Sequence, residues 1–207
     1  MDDLLGNRTL DEFTRQLAEK RPVPGGGGAA ALAGALAVSL GNMVGNYTTG
    51  KKKYAANEEL IQALNQRAEE LRIEFLKAID EDAQAFEPLS KAYAIPKDDP
   101  ERDEVMEECL RQAVIPPLKI FDLSMEVIEM SRQYVICGST LMVSDAGCAA
   151  ALGLAALKAA ALNVYVNTKA MKDTGYARQL NDHVKEGLTK AGTIAEETYQ
   201  GVSERLI

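Results

Sequence analysis

The sequence predicts an all-α protein, an up-and-down antiparallel helical bundle with two apolar central helices, and three observations carry that expectation. Alternating β-branched runs of useful length are nearly absent, so strands have little to specify them. Apolar residues recur instead at three- and four-residue intervals over long stretches. Two of those stretches are almost free of charge and apolar on every side, the mark of helices buried by their neighbours.

Each element follows in order. Thr9 and Glu12 have the spacing of a capping box, and Leu10, Phe13 and Leu17 follow at helical intervals in a first helix that ends near Arg21 and Pro22. A second helix runs from the glycine run to about Thr49 in Ala, Leu and Gly, whose small side chains let neighbours approach closely. A third, from about Asn57 to Pro88, carries Leu60, Leu64, Leu71, Phe75, Asp82, Phe86 and Leu89 along one stripe. Residues Ile95 to Pro100 form a turn-rich connection. A fourth helix starts near Glu101, and Pro116 and Pro117 kink or restart it, because proline lacks the backbone donor and crowds the preceding turn. The fifth covers about Ser144 to Met171, interrupted only by Asp145, Lys158 and Lys169. The last, Tyr176 to Leu206, is amphipathic, with Leu180, Val184, Leu188 and Ala191 on one face. No shift in composition divides residues 1–207, so one helical domain is expected, long enough to bury a sizeable core.

Charge narrows the partners. Thirty-one Asp and Glu against 23 Lys and Arg give a net charge of −8. A balance that acidic disfavours nucleic acid, which asks for a basic face. Cys109, Cys137 and Cys148 are too few and too far apart for a disulfide framework, and with His183 as the one histidine they argue against a zinc site of ordinary make-up. Reduced cytoplasm is the natural compartment. The opening MDDLLGNRTLDEF is acidic and polar, unlike a signal peptide. No charge falls between Arg21 and Lys51, a span long enough to cross a bilayer. Its prolines, glycines, Asn42 and Asn46 fit a helix packed inside protein better than one facing lipid, so no membrane is expected.

Four motifs carry candidate chemistry. Gly25, Gly26, Gly27 and Gly28 open a helix, and bare N–H groups backed by the positive end of a helix dipole suit an anion or the polar edges of a ligand. No Gly-Lys-Ser/Thr follows, so this is not a nucleotide P-loop; the plainer reading is a turn with close helix packing. Asn46 and the run Lys51, Lys52, Lys53 close the same helix. The lysines either complement its dipole or form a cationic rim for a carboxylate-bearing substrate. Asp80 and Glu81 are expected to face solvent, whereas Asp82 falls on the apolar stripe of the third helix. A carboxylate there must be paired, hydrogen-bonded or neutralised, which makes it a candidate catalytic group or a buried anchor. Asp145, beside Ser144, heads the fifth helix as a cap or as a second catalytic carboxylate. Asn163 and Asn167, one turn apart in that helix, either tie helices together or contact a ligand. His183 has no assigned role.

Taken in order, these pieces resemble the family of formiminotetrahydrofolate cyclodeaminases and methenyltetrahydrofolate cyclohydrolases. The likeness lies in Pro22-x-Pro24 with its glycines, in Met43, Asn46, Thr48 and Gly50 to Tyr54, in Asp80 to Phe86, in Ser144 to Gly147, and in Ala161 to Val164. It spans nearly the whole chain. The resemblance implies a homodimer and a tetrahydrofolate site lined by the glycine-rich loop, with folate as substrate and no separate cofactor or metal. Gly28 departs from it, standing where Ser is common. On this reading Asp82 or Asp145 is the catalytic carboxylate, Gly25 to Gly28 and Asn163 line the pterin side, and Lys51 to Lys53 engage the glutamate tail of folate, single or polyglutamylated. With no transferase region in the 207 residues, cyclohydrolase is preferred to cyclodeaminase. A non-enzymatic folate-binding bundle remains a third expectation, because fold-level likeness does not fix activity. Helical rise alone puts Asp82 level with the glycines and Asp145 level with the lysines.

Overall fold

A computed structural model describes residues 4–207; residues 1–3, which begin the acidic stretch read above as unlike a signal peptide, lie outside it. The described chain is helical, with seven α-helices: α1 Leu10–Ala18, α2 Gly26–Asn46, α3 Glu58–Ala92, α4 Arg102–Ala113, α5 Ile115–Cys137, α6 Val143–Thr168 and α7 Thr174–Leu206. The long helices α2, α3, α5, α6 and α7 alternate in direction. Gly27 at the start of α2 lies by Asp82 near the end of α3, and Gly26 lies by Asn163 near the end of α6. Arg67 and Lys119 tie α3 to α5 in antiparallel register through Glu126 and Glu81. Gly147 meets Val202 across α6 and α7 in the same sense.

Several helix ends follow local chemistry. The Thr9 hydroxyl accepts from Glu12 N–H while the Glu12 carboxylate accepts from Thr9 N–H, the reciprocal capping box the spacing predicts. Helix α2 stops at Asn46, earlier than expected, and the chain turns at Gly50, whose φ of 75° is left-handed backbone that glycine enters without cost. The expected stop at Pro88 does not occur: α3 continues to Ala92. Pro88 is exposed near the helix end, so the bond it forfeits leaves the Gln84 carbonyl on the solvent side rather than in the core. The predicted restart is real, since α4 ends at Ala113 and Pro116 and Pro117 lie in the first turn of α5, where their missing donors have no helical partner to lose.

The core gathers Leu71, Phe75, Ile120, Phe121, Ile128, Leu157 and Val184, all fully buried, around the inner faces of α2 and α6. Close approach depends on small residues. A Cβ at Gly34 would enter the Phe75 ring, so α2 and α3 can lie this near only with glycine there. The two apolar helices are covered by α3, α5 and α7 on one side and bare on the other. Leu36 of α2 is 48% exposed, and Leu162 and Val166 of α6 are 69% and 63% exposed. By length and composition both helices would suit a membrane span, yet about half of each lies inside the bundle.

Candidate active site

The glycine run places backbone, not side chains, at one end of the bundle. Gly25 is extended and α2 begins at Gly26, so the first-turn N–H groups have no carbonyl one turn back to bond. Asp82 comes in from α3 beneath them, close enough to the Gly28 amide for its dipole to favour the charged carboxylate. A Cβ on Gly27 would land on that carboxylate, while one on Gly26 would stand 2.9 Å from Asn163 Nδ2 and 3.0 Å from its Oδ1. A side chain at either position would push Asn163 or Asp82 out of its place. Gly28 differs: its Cβ would meet Pro24, Ile79 and Phe13 at 3.5 to 3.8 Å, ordinary contact. A serine would fit where the resemblance places one.

Asp82 is the strained member electrostatically. Burial pushes its carboxyl up from 3.8 to about 6, against the Gly28 amide, which favours the ionised form and limits the rise. Asn163 donates from Nδ2 to the Ala159 carbonyl at 2.8 Å, leaving its carboxamide lying over Gly26. Asn167 ties α6 to α4 by donating to the Ala113 carbonyl at 3.3 Å. A cleft of about 200 Å³ opens among Gly25, Gly26, Gly27, Asp82, Asn163 and Phe86. It presents a desolvated carboxylate, an amide and backbone donors to one small volume.

The other candidates lie elsewhere. Helix α2 is 21 residues long, so about 31 Å separates its ends. Asn46 sits at the far end, exposed, donating to Asn42 Oδ1 at 2.6 Å and accepting from Asn65 Nδ2 at 3.2 Å. Lys51, Lys52 and Lys53 are exposed beyond the last turn of α2, in and beside the 3-10 turn Lys52–Asn57, which weakens the helix-dipole reading. Lys53 Nζ reaches Thr140 Oγ1 at 3.3 Å. Asp145 shares that end, in the first turn of α6, and no side chain caps that helix, so capping does not account for it. Asp80, expected to face solvent, instead accepts from the Leu5 and Gly6 amides at 2.7 and 3.2 Å and fastens the N-terminal segment to α3. Glu81 pairs with Lys119 at 2.7 Å, and His183 binds Asp122 at 2.7 Å on the surface. Sequence reading missed Val23 and Val166, which wall the cleft. Their only signal is an apolar residue on an exposed face.

A bundle in which one helix begins in bare glycine amides over a desolvated acid defines a helical enzyme for a small polar ligand. The chain belongs to the formiminotransferase-cyclodeaminase family, whose pattern matches residues 9–186. It is 36% identical to a methenyltetrahydrofolate cyclohydrolase of Methylorubrum extorquens over 98% of this chain and 100% of that protein. It is 28% identical to the formimidoyltransferase-cyclodeaminase of Sus scrofa over 91% of this chain but only 36% of that longer protein. Among solved structures, the formiminotetrahydrofolate cyclodeaminase of Thermotoga maritima superposes with a TM-score of 0.82 at 27% identity, covering 96% of this chain and 95% of that one.

Proposed function

We propose that this chain is a methenyltetrahydrofolate cyclohydrolase in which Asp82 acts on the one-carbon bridge. The observation that carries this reading is Asp82 itself, an acid held at about 6 among glycine amides and an asparagine in a cleft. The bridge carbon between N5 and N10 of 5,10-methenyltetrahydrofolate carries positive charge, and a carboxylate attracts it. A base of this strength titrates near neutrality, where general-base catalysis is most effective. Water adds to the carbon as Asp82 takes a proton from it. The bond to N5 then breaks as N5 takes that proton back from the carboxyl and the carbinol hydroxyl gives up its own proton to solvent, so 10-formyltetrahydrofolate forms with one proton released. Gly25 to Gly28 and Asn163 offer hydrogen-bonding edges to the pterin. The bridge carbon keeps its oxidation state throughout, so the chemistry calls for no redox group beside the folate.

Cyclohydrolase is preferred because the relative bearing that name matches this chain end to end. The solved relative favours a second reading, cyclodeaminase, in which N10 attacks the formimino carbon and ammonia leaves with a proton from the same acid. We also read the protein as a cytoplasmic homodimer. Three free thiols support the compartment, and the bare apolar side of α2 and α6 supports the dimer. In an antiparallel pair, the end bearing Asn46, Lys51 to Lys53 and Asp145 would approach the partner's cleft, the one arrangement in which those residues meet substrate.

Loss of methenyltetrahydrofolate absorbance above the buffer rate tests the activity, with ammonia release from formiminotetrahydrofolate as the competing signal. Asp82→Asn should lower turnover on the order of a hundredfold or more with helicity unchanged, and Asp145→Asn should not. Wild-type turnover in Asp82→Asn would remove the assigned base. Folate binding with neither reaction would leave a binding protein.

A further inference from the structure

The Asp82 cleft, at about 200 Å³, is smaller than the roughly 300–1,000 Å³ of pockets that enclose a ligand of folate size. On the folate reading the pterin and bridge carbon take up this cleft, and the remainder of the molecule must leave it. A second cleft of about 660 Å³ adjoins it, and Pro22, Val23 and Phe86 wall both, so a ligand passing Phe86 enters the larger space. Its lining combines apolar Leu5 and Phe86 with cationic Arg8, Arg21 and Lys91. Two acids share the lining. Asp80 is turned to the Leu5 and Gly6 amides, and Glu87 to Lys91 Nζ at 2.7 Å. Arg21 lies 3.4 Å from Glu19, a partner outside the cleft, with 43% of its side chain exposed.

We propose that this larger cleft holds the aminobenzoyl-glutamate arm of the substrate, its aromatic ring against Phe86 and Leu5 and its carboxylates on Arg8 and Arg21. The assignment rests on the folate reading above and refines it. Guanidinium groups match carboxylates in paired hydrogen bonds, and within one chain the lysines at the far end of the bundle lie about 31 Å away along α2. Lys91 lines the same cleft and would receive a second, γ-linked glutamate in exchange for its bond to Glu87.

Steady-state kinetics on the full chain test this, with mono- and triglutamate methenyltetrahydrofolate as substrates. Arg21→Ala and the double variant Arg8→Ala/Arg21→Ala should raise KM, the double by roughly tenfold or more, with the loss in kcat/KM carried by KM. Free p-aminobenzoyl-glutamate should inhibit the wild type competitively and lose potency in Arg21→Ala. Arg21 is exposed, so its single variant keeps the test valid should Arg8 prove necessary for folding. An unchanged KM in Arg21→Ala and in the folded double variant overturns the assignment. So does a rise produced by alanines at Lys51, Lys52 and Lys53 together and not by the arginine changes, which moves the tail to a partner's far end. A wild type that hydrolyses no methenyltetrahydrofolate defeats the enzyme reading instead, a different result from an active enzyme indifferent to Arg21.

Discussion

Asp82 has a folded pKa of about 6 because burial penalises its charge more than the Gly28 amide supports it. A raised acid holds its proton more tightly folded than unfolded. It therefore contributes stability that is fully present below the ordinary aspartate value and is lost as pH rises through about 6. Catalysis runs the other way, since only the ionised form can take a proton from water. The pH profile of kcat/KM should show an acidic limb near 6 that is absent from the residual activity of Asp82→Asn, whose thermal stability should gain on wild type above that pH. A flat wild-type profile from about pH 5 to 8 would show that another group is the base. Asp82 was legible in the sequence because a charge on an apolar stripe is an anomaly. Arg8 and Arg21 were not, because arginines in a polar N-terminal segment look like ordinary surface until a cleft forms around them. Asn46 and the lysines carried a visible pattern, and helical rise already set them at the end opposite Asp82, but a single sequence does not record whether a second chain brings them back to it.

At the scale of the element, α2 explains why a glycine run can be two things at once. Neighbouring glycines in it answer to different constraints. Gly27 keeps space for the Asp82 carboxylate, whereas Gly28 has ordinary contact room on every side. Alanine favours a helix over glycine by up to ~1 kcal/mol, so Gly28→Ala should raise the melting temperature slightly and leave turnover near wild type. Gly27→Ala gains the same propensity but rotates Asp82 out of place, and kcat/KM should fall on the order of a hundredfold while circular dichroism stays unchanged. Equal activity in the two variants would show that the carboxylate position is not critical. Helix existence was readable from periodicity, and the Thr9 cap from two residues. Helix ends were less so: Asn46 ends α2 because of a left-handed Gly50 four residues on, and Pro88 fails to end α3 because it sits exposed near that helix's own end.

For the whole molecule, the informative feature is an imbalance between the two sides of the α2 and α6 pair. One side is packed by three helices. The other leaves Leu36, Leu162 and Val166 about half or more exposed, with Ala151, Ala155, Cys148 and the charged Lys158 also exposed on α6. Composition alone predicted burial on every side, and a single chain covers only half of that surface. A largely apolar strip of this kind, interrupted by Lys158, suits an interaction surface, and a self-complementary one is closed most simply by a second copy about a two-fold axis. Val166 also walls the Asp82 cleft, so the strip runs to the edge of the proposed active site. A partner seated there would shield the cleft from water and strengthen the electrostatics within it. The wild type should therefore elute at twice the 22.4 kDa of one chain, and Leu162→Glu should elute as a monomer with helicity retained. Its kcat/KM should drop as well, recovering partly at high protein concentration where the pair reforms. A Leu162→Glu monomer with full activity at every concentration would separate the strip from the site and confine catalysis to the single bundle.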